Sequence, residues 1–276
     1  MRREPAAAVR AAALLACACA LAGCSRLTFV KPNPDRGSYT QVAPDYAVRE
    51  DPREARRMVA ARRAAAAAEA LRAGDLALAK DLAAQALADD RAEAGAHTVL
   101  ALVAEREGRT AEAGRHYADA VKHAPREGTA LNNYGVWLCA SGRPAEALPL
   151  FERALADPAY PTPAAALANA GNCALRAGQP ERAARDLRRA LAIDPAEPTA
   201  LAGMARVAYD AGAYLQARAF AERRLAAAAP TAEVLQLASQ IEQKLGDAAA
   251  SARYVQRLRE TFPLSQQAPR GGESPQ

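Results

Sequence analysis

An all-α fold, a superhelix of six antiparallel helix pairs, is what this 276-residue sequence predicts, and three observations carry the prediction. Glycines recur at Gly74, Gly108, Gly142, Gly178, Gly212 and Gly246, with spacings of 34, 34, 36, 34 and 34. Five residues after each comes a small side chain: Ala79, Ala113, Ala147, Ala183, Ala217 and Ser251. Thirteen residues after the first five comes a branched aliphatic one: Leu87, Val121, Leu155, Leu191 and Leu225. Glycine suits the sharp reversal between two antiparallel helices. The small residue lets the second helix lie close against the first. Three features on one period mark a repeat array whose units pack mainly on their neighbours.

The elements follow in order. Arg2, Arg3 and Arg10 precede an apolar run from Ala11 to Ala22. That is the charged start and short apolar stretch of a secretory signal peptide, too short for a comfortable membrane span. Cys17 and Cys19 read as small apolar filler inside it. The run ends in Leu21-Ala22-Gly23-Cys24, which resembles the lipobox of bacterial lipoproteins. The resemblance implies a signal peptide at residues 1–23, cleavage before Cys24 and acylation of that cysteine, whose several chains give durable anchoring. Ser25 follows with no aspartate, which resembles the pattern for release to the outer membrane, periplasmic face. Residues 24–52 hold Pro32, Pro34, Gly37, Pro44 and Pro52 and read as a lipidated N-terminus and extended tether. Six repeats are expected over 53–265, and a disordered tail over 266–276. The first repeat, from about Ala60 to Glu93, departs most from the pattern, with alanines where large residues are usual.

These units resemble the tetratricopeptide repeat, two antiparallel helices in 34 residues. Gly135 and Gly171 match the small residue seven positions before the turn glycine. Leu131, Leu167, Leu201 and Leu235 fill the large first position. Tyr117 and Phe151 take the aromatic position of the second helix, and Pro125 and Pro195 close their repeats. The resemblance implies a right-handed tetratricopeptide-repeat superhelix whose concave face, lined by first helices, binds ligands.

Composition narrows the chemistry. Hydrophobic residues make up 51% but aromatics only 5%, so the core must be closely packed helices with small side chains. The net charge of +5 comes from 36 basic and 31 acidic residues intermixed along the chain. No run of Lys/Arg tracks a nucleic-acid backbone, and no nucleic-acid partner is expected. Cys139 and Cys173 are two isolated cysteines, which do not make a disulfide scaffold. They could pair in an oxidising compartment, but pairing needs a Cα separation that sequence does not show, and small buried thiols are the expectation. His97 falls on a large inward position and reads as packed core. His116 and His123 are seven apart with no third ligand, so no metal site is expected. No Ser-His-Asp order, Walker loop or dinucleotide fingerprint is present. The chain reads as neither an enzyme nor a cofactor carrier.

Two stretches suggest binding instead. "LNNYGVWLCASGRPAEAL" puts Asn132, Asn133 and Val136 on the first helix of repeat three, and "LANAGNCALRAGQPERAA" puts Asn169 and Asn172 on that of repeat four. Asparagine is a mediocre helix former. Two roles remain open for these amides: gripping the backbone of an extended peptide, or bonding between repeats without a ligand. Arg206, on the first helix of repeat five, either adds a charged contact there or is solvated. Together with "DPAYPTP" at 157–163, "MARVAYDAGAYLQAR" and "YVQRLRETFPLS", these stretches resemble the type IV pilus biogenesis and stability lipoproteins, the secretin pilotins of pseudomonads and their relatives. That resemblance implies an outer-membrane-anchored protein that binds the pilus secretin subunit and promotes its localisation and multimerisation; a monomer is expected. A lipoprotein scaffold for peptidoglycan or envelope-assembly complexes is the alternative.

Overall fold

A computed structural model describes residues 51–263, and among them twelve α-helices follow one another with no strand. They form six pairs: α1 Pro52–Arg72 with α2 Leu76–Asp89, α3 Ala94–Arg106 with α4 Thr110–His123, and α5 Gly128–Ala140 with α6 Pro144–Leu155. Next come α7 Pro163–Arg176 with α8 Pro180–Ile193, α9 Pro198–Asp210 with α10 Tyr214–Ala227, and α11 Ala232–Leu245 with α12 Ala248–Thr261. This is the tetratricopeptide-repeat superhelix expected. The expected signal peptide, Cys24, nearly all of the expected tether and the expected tail lie outside the described residues. No described helix is long and apolar enough to cross a membrane.

The helix boundaries follow local chemistry. Proline stands at the start of α1, α6, α7, α8 and α9, where its missing N–H costs nothing and its fixed φ suits the helix. Side chains of Asp51, Asp75, Thr231 and Asp247 accept from first-turn amides of α1, α2, α11 and α12. The six periodic glycines are the only positive-φ residues among those described, at 70–85°. A Cβ there would be strained, which explains their 34-residue recurrence.

The large first position is core. Leu131, Leu167, Leu201 and Leu235 are all buried, as are Tyr117 and Phe151. The Gly135 position shows why the pairs stay close: a Cβ there would stand 2.9 Å from the Phe151 ring. In the first pair, Ala60, Ala64, Ala67 and Ala70 of α1 are buried, as are Ala79, Ala83 and Ala86 of α2, so the large residues are replaced by a seam of methyl groups. Equivalent arginines then tie successive repeats. Arg153 Nη2 donates to the Pro125 carbonyl at 2.7 Å, and Arg223 Nη2 to that of Pro195 at 2.8 Å.

The lengthened spacing serves the middle of the array. Asp157 Oδ2 accepts from the Gly128 amide at 2.8 Å and Oδ1 from Ala159 at 2.9 Å. The carboxylate thus caps the N-terminus of α5, where negative charge is favoured. Tyr160 packs so near that a Cβ at Gly128 would stand 2.7 Å from it. The amide donors of Gly128 and Ala159 hold the Asp157 carboxyl below its usual range. A lowered folded pKa means its stabilising contribution is present above the unfolded pKa and lost as pH falls through the folded one. Asp157→Asn should therefore lower the urea midpoint at neutral pH, and the gap from wild type should close as acid protonates the wild-type group. A gap that persists unchanged in acid would exclude the charge as its cause.

Candidate peptide-binding cleft

Four first helices, α5, α7, α9 and α11, contribute side chains to a cleft of about 620 Å³. Apolar Val136, Val234 and Leu237 line it alongside charged Arg176, Arg206, Asp210 and Glu233. Such a mixture of apolar surface and a few convergent polar groups suits a ligand. Of the residues singled out in sequence, Val136, Asn169, Asn172 and Arg206 line the cleft, while Asn132 and Asn133 do not.

The asparagines form a network across repeats. Asn169 Nδ2 donates to Asn132 Oδ1 at 3.0 Å, and Asn132 Nδ2 to Asn133 Oδ1 at 3.4 Å. Asn132 is buried, so its amide is used between α5 and α7. Asn172 Nδ2 donates to the Thr199 carbonyl at 3.1 Å, linking α7 to α9. Gly203 makes room for it, since a Cβ there would stand 2.5 Å from Asn172 Oδ1. Inter-repeat bonding is therefore real, and it orients the side chains. Among the described residues neither Asn169 Oδ1 nor Asn172 Oδ1 accepts a hydrogen bond from a side chain or backbone amide. Each amide keeps an acceptor. Arg206 Nε donates to Asp210 Oδ2 at 2.8 Å, and its guanidinium lies 6.0 Å from the Tyr209 ring centroid. Val136 remains 41% exposed, unusual for a large aliphatic residue and available for contact.

One sequence expectation is corrected. Cys139 and Cys173 are not free thiols: they form a disulfide, with Cα atoms 5.7 Å apart, the ordinary separation for one. The cause is the stacking of α5 beside α7, which brings together residues 34 apart in sequence. Both cysteines line the cleft, and Arg176 Nη1 approaches the Cys139 carbonyl at 3.4 Å. A carboxylate also approaches two of the histidines. Asp119 joins His97 and His116, with one ligand atom of each within 4.8 Å of the others. Sequence hides it because the cluster forms across the α3–α4 pair. Burial, and then the neighbouring His97, hold the His116 imidazole below its usual pKa. His97 is buried, as its inward position implied.

With this geometry in view, comparison with known proteins is informative. Tetratricopeptide repeat models match residues 92–157 and 127–196, and another matches 174–241. Type IV pilus assembly protein PilF of Pseudomonas aeruginosa is 27% identical over 195 residues, spanning 71% of this chain and 77% of its own length. The crystal structure of PilW, a widely conserved type IV pilus biogenesis factor, superposes with a TM-score of 0.67 at 32% identity, covering 75% of this chain and 96% of that one. A solved structure of P. aeruginosa PilF superposes with a TM-score of 0.65 at 25% identity, covering 78% of this chain and 96% of that one.

Proposed function

The chain belongs to the PilF/PilW-like family of tetratricopeptide-repeat proteins of type IV pilus biogenesis, and from that premise we propose that it is an outer-membrane lipoprotein that binds the pilus secretin. Its work is then recognition and placement, with no bond made or broken. Cys24 supplies the lipid anchor, residues 25–52 supply reach, and the cleft receives a segment of the secretin subunit. Holding the subunit beside the membrane raises its local concentration there and favours ring assembly.

The observation that carries this reading is the pair of uncommitted acceptors, Asn169 Oδ1 and Asn172 Oδ1, beside exposed Val136 in one cleft. Two amide acceptors can take the backbone N–H groups of an extended segment while Val136 packs against an apolar side chain. The Cys139–Cys173 disulfide supports an extracytoplasmic setting, because disulfides persist in oxidising compartments such as the periplasm.

Secretin assembly tests the proposal. Deleting the protein should abolish heat-resistant secretin multimers, and Cys24→Ala should leave the secretin misplaced or poorly assembled. Val136→Glu puts a charge on an already exposed position, so the fold should survive while affinity for the secretin falls at least about tenfold, the scale of a modest interface hot spot. Normal multimers in the deletion strain would sink the secretin reading and leave an envelope scaffold. Unchanged affinity in Val136→Glu would remove the cleft from the account.

A further inference from the structure

His97, His116 and Asp119 gather on the second helix pair, and none of them lines the cleft. His97 Nδ1 and His116 Nδ1 lie 3.3 Å apart. Two nitrogens held by one ion at about 2.0–2.1 Å, at a tetrahedral angle, would lie about 3.3–3.4 Å apart. The separation of these two nitrogens is therefore that of two ligands on one ion, with an Asp119 carboxylate oxygen within 4.8 Å of both.

The contact on the other ring nitrogen points the same way. His97 Nε2 lies 3.2 Å from the Arg91 carbonyl oxygen. A carbonyl only accepts, so Nε2 carries a proton and donates, and in the singly protonated ring that leaves Nδ1 as the nitrogen with a lone pair toward His116. Histidines that bind metals are oriented in this way by a carbonyl or carboxylate on the other nitrogen. The ring is also held in place, being buried and stacked on His123 with centroids 5.6 Å apart at 16°. Asp119 follows His116 by three residues on α4, which puts its carboxylate on the same helix face. Neighbouring Glu112 is engaged by Arg109 and does not compete.

We propose that His97, His116 and Asp119 form a binding site for a zinc-class transition metal ion. Two imidazole nitrogens and one carboxylate oxygen suit such an ion. Three protein ligands leave the fourth position to water or to a partner's side chain. His116 and Asp119 are half-buried, so this position faces outward. Binding would join α3 to α4 and stiffen the second repeat.

In the metal-free protein, a His116 Nδ1–H donated to His97 Nδ1 accounts for the same 3.3 Å contact, and the experiment separates the two. Untagged full-length protein, stripped with chelator, is titrated with cobalt(II) and then challenged with zinc. The expected result is one equivalent of cobalt with intense visible bands of tetrahedral type, displaced by zinc. His116→Ala and Asp119→Asn, each at a half-buried position, should keep the helical circular dichroism and weaken binding at least about tenfold. No saturable band in wild type, or undiminished bands in both variants, would overturn the site. Secretin multimers are not part of this readout, so its failure leaves the pilus reading intact.

Discussion

Replacing Phe151 by alanine is expected to destabilise the protein by about 3–5 kcal/mol, the usual cost of emptying a buried aromatic site. Phe151 is fully buried and belongs to the central cluster with Leu131, Leu148, Leu167 and Leu187. Its ring lies against Gly135, where a Cβ would come within 2.9 Å. The two positions are complementary in volume. Gly135→Ala should thus be harmful beside the intact Phe151 ring and less so in the Phe151→Ala background, because the added methyl enters space the ring has left. Urea unfolding of the two single variants and the double variant measures the coupling. Strict additivity would mean the helices had closed over the cavity by themselves.

Reduction of Cys139–Cys173 is the second large effect. The bond closes a loop with a sequence separation of 34, and constraining such a loop in the unfolded chain is worth about 3–4 kcal/mol. For an array of this size that corresponds to a fall in Tm of about 6–16 °C. Dithiothreitol should produce the fall in wild type and have no effect on the Cys139→Ala/Cys173→Ala protein, which starts from the lower value. Equal melting of wild type with and without reductant would show that the cross-link contributes nothing. Because both cysteines line the cleft, reduction should also weaken ligand binding.

The array is legible in sequence because its rules are local. A reversal needing positive φ selects glycine, and all six periodic glycines have it. Close helix approach selects small residues, which explains Ala79 through Ala217. What escapes is whatever depends on the meeting of two helices distant in sequence. Cys139 and Cys173 stand three and five residues before their turn glycines, so repeat register alone does not align them, an offset equal to the two residues that lengthen this spacing to 36. Asp119 gives no signal along α4 alone, because the histidine that completes the cluster, His97, comes from the partner helix α3. Among the asparagines, sequence distinguishes neither buried Asn132 from half-buried Asn169 nor the bond that joins them. Arg176, Asp210 and Glu233 do not stand out as cleft residues because charged side chains are common on any exposed helix.

The disulfide also alters how the array can come apart. Where units touch only their neighbours, melting can begin at any weak junction and spread in both directions. Covalently joining α5 to α7 removes the third junction from that set and fuses repeats three and four into one cooperative block. Opening is then directed to the flanks. The alanine seam between α1 and α2, which buries less apolar surface per residue, becomes the natural place for it to start. The centre that holds the asparagine network would be the last part to lose its shape, so the recognition surface outlasts the ends that frame it.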